Sequence, residues 1–109
     1  MKISEQAFMT QVKAIAYTYG WMAHHSQPSM TRTGRYITTG SAGFPDLVLA
    51  HPQKGFLMCE LKTETGRVSE AQVTWMMALD PWVECHVWRP QDLPEIQARL
   101  ARNIDRRSG

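Results

Sequence analysis

Apolar residues Phe8, Val12, Ile15 and Tyr19 recur at spacings of four, three and four, which is one face of an α-helix. Ser4 supplies a cap ahead of this stripe, Ile3 and Phe8 have the spacing of a hydrophobic staple across the cap, and Gly20 provides a stop, so a helix is predicted over 4–19. From Trp21 to Gly43 no period is sustained and Ser, Thr, Gly and His dominate; a short strand and a long loop are expected, and long loops in compact domains are often functional. Two apolar runs, 44–50 and 56–62, flank the segment His51, Pro52, Gln53, Lys54 and Gly55, a connection typical of a β-hairpin. After a polar turn around Gly66, Ser69 caps a second helix reaching Leu79, with Gln72 at the third position of a capping box. Asp80 and Pro81 break it, 83–88 reads as a third strand from its β-branched and aromatic content, and Arg89 with Pro90 closes that strand. A last helix begins after Asp92, with Pro94 near its start and Leu93, Ile96, Leu100 and Ile104 at helical spacing. The element order is helix, strand pair, helix, strand, helix, with no internal repeat.

A chain of 109 residues with 43% hydrophobic positions is expected to form one domain with a small core and is too apolar for a disordered tail. Four Trp and seven Met are more large apolar side chains than such a core readily absorbs. Some, such as Trp75, Met76 and Met77 on the second helix, are expected in the core or against a second copy, and size favours a homodimer. The net charge of +2 argues only weakly for a nucleic-acid partner. Local clusters read two ways: Arg99, Arg102, Arg106 and Arg107 against Asp105, and Arg32 and Arg35 around Gly34, are either phosphate contacts or a solvated helix end and loop. Cys59 and Cys85 sit in apolar runs and imply no disulfide. The first 13 residues carry neither a signal peptide nor a membrane span, so a cytoplasmic location is the expectation.

The chemistry concentrates in the hairpin. Glu60 and Lys62 are two apart and share one strand face, opposite Leu57, Cys59 and Leu61; Asp46, just after Pro45, is placed by hairpin pairing beside Glu60. Two carboxylates meeting one lysine suit magnesium, which takes one or two carboxylates from a protein and its remaining oxygens from water and substrate phosphate. Seen alone, a Glu and a Lys two apart on one strand face are more often a surface ion pair. Gly40, Ser41, Ala42 and Gly43 could let backbone approach a phosphate, but no P-loop lysine follows, which disfavours nucleotide hydrolysis.

Gly43, Phe44, Pro45, Asp46 and Leu47, then Glu60, Leu61 and Lys62, then Gly66 and a capped helix bearing Gln72, together resemble the PD-(D/E)XK nuclease superfamily, most closely its VRR-NUC branch, over 4–88. The resemblance implies an α/β fold with a central mixed β-sheet flanked by helices, a restriction-endonuclease-like core. It implies Asp46 and Glu60 as ligands of Mg2+ or Mn2+, the Leu61 carbonyl as a third and Lys62 as the catalytic lysine. Glu5 looks like the acidic residue such nucleases often carry on their first helix, or else simply favours the helix dipole. Gln72 is either a contact of the site or only a cap, and one of His24 and His25 could approach the phosphate or the metal. No small-molecule cofactor and no membrane are expected. Stand-alone VRR-NUC domains look like homodimeric enzymes that cut branched DNA such as four-way junctions. The alternatives are a nuclease preferring flaps, single strands or duplex, or a binding module that has lost catalysis.

Overall fold

The capped stripe at the start of the chain forms helix α1 (Glu5–Thr18). The Ser4 hydroxyl accepts from the Ala7 amide at 3.0 Å, and at the other end the amides of Gly20 and Trp21 donate to the carbonyls of Tyr17 and Ala16, a Schellman closure that requires the positive φ of 85° at Gly20. The computed structural model describes residues 2–26, 29–30, 36–37 and 42–104. The elements that follow are β1 (Met22–His25), β2 (Ser29–Met30), β3 (Tyr36–Ile37), β4 (Leu47–His51), β5 (Gly55–Leu61), α2 (Glu70–Leu79), β6 (Glu84–Trp88) and α3 (Leu93–Ala101), with a 3-10 turn at Pro90–Asp92.

Strands β1, β4, β5 and β6 make one sheet in that order; the first two pairings are antiparallel and β5–β6 is parallel, with α2 in the crossover. The sheet is therefore mixed and the fold is α/β. Strands β2 and β3 pair separately as a two-stranded antiparallel ribbon, which the aperiodic segment did not foretell. Strand β4 begins at Leu47 rather than at Phe44: Pro45 has no N–H for a ladder, although the Asp46 carbonyl still accepts from the Ser26 amide at 3.0 Å. The core lies on one sheet face, where Leu47, Leu49, Leu57, Cys59, Leu61 and Trp88 meet Phe8, Val12 and Ala16 of α1 and Ile96 and Leu100 of α3.

Three expectations need correction. Helix α3 stops at Ala101 and does not carry Ile104, because Arg102 turns extended and the Ile104 amide donates to the Gln53 carbonyl at 2.8 Å, tying the chain over the β4–β5 turn. Arg99 is not a surface phosphate contact. It is buried, its Nε and Nη2 grip the Glu84 carboxylate at 2.8 and 3.1 Å, Nη2 also donates to the Lys54 carbonyl, and its guanidinium lies 5.6 Å from the Trp21 ring. Helix α2 buries no residue, so its apolar side chains are not core: Trp75 packs edge-on to Phe44, while Met77 is 72% and nearby Trp82 is 86% exposed. Arg102 is exposed, and Arg32, Arg35, Asp105, Arg106 and Arg107 lie outside the described residues.

Candidate active site

The hairpin register builds the site. Leu47 pairs with Cys59, so the preceding residue, Asp46, falls opposite Glu60, and the Leu61 amide donates to Asp46 Oδ2 at 3.2 Å. Helix α1 brings its first residue, Glu5, to the same point. One carboxylate oxygen from each of Glu5, Asp46 and Glu60 lies within 4.8 Å of the other two.

Glu60 is 1% exposed, which removes it from the class of surface ion pairs. Its Oε2 accepts from Gln72 Nε2 at 2.6 Å and lies 3.7 Å from Lys62 Nζ, while Oε1 is buried without a hydrogen-bond partner. Burial, the neighbouring Asp46 charge and the hydrogen bond shared with Asp46 push the Glu60 carboxyl up to about 8, with Glu5 adding to the rise and Lys62 opposing it. A buried acceptor left unpaired and a carboxyl that resists ionisation are what three crowded acids produce when one lysine only partly offsets their charge. A hard divalent cation supplies that charge and takes oxygen ligands, so the donor set fits Mg2+ or Mn2+.

Gln72 serves both roles that its position allowed. Its Oε1 accepts from the Ser69 amide at 2.8 Å while the Ser69 hydroxyl accepts from the Gln72 amide, completing the capping box; its Nε2 reaches Glu60. The start of α2 is thus fixed to β5 by one side chain. Gly43 is placed differently from the phosphate approach its sequence context suggested. At φ 87° it lies where a Cβ would stand 2.5 Å from the Ala71 backbone, so its bareness admits the first turn of α2. Strand alternation separates the two histidines. His24 is exposed, whereas His25 is half-buried near Lys13 and Asp46, with its pKa lowered by burial and by Lys13, raised by Asp46 and lowered slightly by His24. One contributor had no sequence signal: Arg89 Nη1 donates to the Thr63 carbonyl at 2.7 Å and holds the turn that follows Lys62.

A mixed sheet whose paired strands present Asp46 and the Glu60–Leu61–Lys62 run defines a nuclease of the PD-(D/E)XK type. Residues 23–81, just over half of the chain, match the VRR-NUC domain, and the protein belongs to the VRR-NUC family. The match contains Asp46, Glu60, Lys62 and Gln72 and stops short of Glu5 and α3. Comparison with curated proteins and with solved structures gave no match.

Proposed function

We propose that this nuclease is a Mg2+- or Mn2+-dependent endonuclease that hydrolyses DNA phosphodiester bonds at Glu5, Asp46, Glu60 and Lys62, and that it resolves four-way junctions as a homodimer. The observation that carries the reading is the convergence of three carboxylates within 4.8 Å, one with a buried unpaired oxygen, beside a lysine. Asp46, Glu60 and Glu5, with the Leu61 carbonyl, would hold the ion, which when bound supplies Lewis-acid charge to the scissile phosphate and lowers the pKa of water. Gln72 occupies Glu60 Oε2 and so leaves Oε1 for the ion. Lys62, 14% exposed at the rim, orients the attacking water and donates to the phosphoryl oxygens as negative charge grows on them.

The dimer is supported by the apolar surface of α2 and the turn after it, where Val73, Met77 and Trp82 stand in water. Two sites related by a two-fold axis match the two symmetric cuts that a junction needs. The test is cleavage of a labelled four-way junction against matched linear duplex with Mg2+ or Mn2+, by the wild type and Lys62→Ala, alongside mass from light scattering. Paired cuts confined to the junction, lost in the variant, with a dimeric mass, are expected. Equal cutting of duplex, flap or single strand removes the junction preference; activity that survives in Lys62→Ala moves the site elsewhere. Binding of DNA without cutting in any metal points to a module that has lost catalysis.

A further inference from the structure

Helix α1 carries a second stripe beside its buried one. Gln6, Thr10, Lys13 and Tyr17 recur at spacings of four, three and four and line one wall of a groove of about 750 Å³, whose opposite wall includes His25 and Ser26. The groove opens from Glu5 and Asp46, so it is continuous with the carboxylate cluster. From Glu5 to Tyr17 it follows about 18 Å of helix axis at 1.5 Å per residue. Its charge changes sign along that length: acids at the metal end, a lysine about 12 Å further on, and an aromatic ring at the far end.

We infer that this groove seats the DNA strand running away from the scissile phosphate, with Lys13 on a backbone phosphate and Tyr17 against a base or sugar. The inference rests on the nuclease reading and adds the path of the substrate to it. Lys13 is half-buried in the wall, and no carboxylate among the described residues forms an ion pair with it, so its charge is left for a ligand. Phosphates on one strand lie further apart along its path than the roughly 3.4 Å of axial rise per nucleotide, so Lys13 falls within a few phosphates of the metal end. Tyr17 is 55% exposed, a flat π surface presented to water at the point where the groove ends, where it meets the sugar of a paired nucleotide or stacks on a base left unpaired, whatever its identity. The wall between them offers the hydroxyl of Thr10 and the amide of Gln6, neutral donors suited to phosphate and sugar oxygens.

The experiment measures fluorescence anisotropy of labelled junction and duplex DNA in Ca2+, which fills an oxygen site without supporting cleavage, for wild type, Lys13→Ala, Lys13→Arg, Tyr17→Ala and Tyr17→Phe. Lys13→Ala is expected to weaken binding about tenfold at low salt and to reduce the slope of log affinity against log salt by about 1, with Lys13→Arg close to wild type. Tyr17→Ala is expected to weaken binding about tenfold without changing the slope, and Tyr17→Phe to preserve it. A mononucleotide nitrophenyl ester, too short to reach Lys13, tests the metal site of the wild type by itself with Mg2+ or Mn2+. If Lys13→Ala and Tyr17→Ala bind and cut DNA like a wild type that is itself active, the groove assignment falls and the nuclease stands. If the wild type neither binds nor cuts DNA and ester with either metal, both readings fail together.

Discussion

Replacing Gln72 with alanine removes two hydrogen bonds of different character. The bond from the Ser69 amide is in water and costs about 0.5 kcal/mol to lose, whereas the part-buried bond to Glu60 Oε2 is worth about 1.5–3 kcal/mol once that carboxyl is ionised. The expected loss at about pH 9, above the Glu60 value of about 8, is therefore about 2–3.5 kcal/mol. At roughly 4 °C per kcal/mol for a chain of this size, the melting midpoint falls by about 8–14 °C. Ser69→Ala, which removes only the cap, is expected to cost about 1 kcal/mol and to leave DNA cleavage intact. Urea unfolding followed by tryptophan fluorescence in EDTA measures each variant alone and in a Glu60→Ala background. There, with the acceptor gone, Gln72→Ala should cost no more than about 1 kcal/mol. Equal costs for Ser69→Ala and Gln72→Ala, unchanged by the Glu60 background, would refute the claim that one side chain couples helix and site.

Three further outcomes follow from the same geometry. Because the Glu60 carboxyl is raised from 4.5 to about 8, the metal-free fold binds more protons than the unfolded chain across that window; its stability, measured relative to Glu60→Gln by thermal melts, falls as pH rises through it. Ca2+ should bind more tightly toward pH 8 and cancel the fall, and a flat difference indifferent to Ca2+ counts against the cluster as a cation site. Gly43→Ala forces a side chain onto a positive φ and against the Ala71 backbone at 2.5 Å, for a loss of about 2–3 kcal/mol in urea and weaker cleavage through the loop that ends at Asp46; a change below about 0.5 kcal/mol would contradict it. Arg99→Ala is expected to cost about 2–3 kcal/mol, from the Glu84 pair, which is partly in water, and from packing on Trp21, while the salt dependence of DNA binding stays as in wild type. A slope lowered by about 1 would return Arg99 to the nucleic-acid surface.

What the sequence made legible was local. Ser4 and Ser69 as caps, the stop at Gly20 and the five-residue break between the hairpin strands are fixed by neighbours within a turn or two, and α1, α2, β4 and β5 form within a few residues of their expected bounds. The meeting of Asp46 with Glu60 follows from that same hairpin. What escaped depends on distant partners. Ile104 keeps the helical spacing of α3, but the Gln53 carbonyl takes its amide; Arg99 reads as one of a basic row, yet Glu84 and Trp21 draw it inward. The short β2–β3 pair has no period to betray it, and the double duty of Gln72 depends on side-chain geometry that spacing leaves open.

The three carboxylates are gathered over unlike stretches of chain, and this bears on the order in which the site assembles. Asp46 and Glu60 are brought together by a local turn, the kind of contact that closes in microseconds, whereas Glu5 comes from 41 residues upstream and arrives only when α1 docks. The repulsion between Asp46 and Glu60 is thus imposed on an early step of folding rather than on the finished core. A divalent ion that bridges the pair would relieve that step, so Ca2+ should speed refolding of the wild type in a denaturant-jump series and lose this effect in Glu60→Gln. In such a chain a metal would act as a folding partner before it acted on any phosphate.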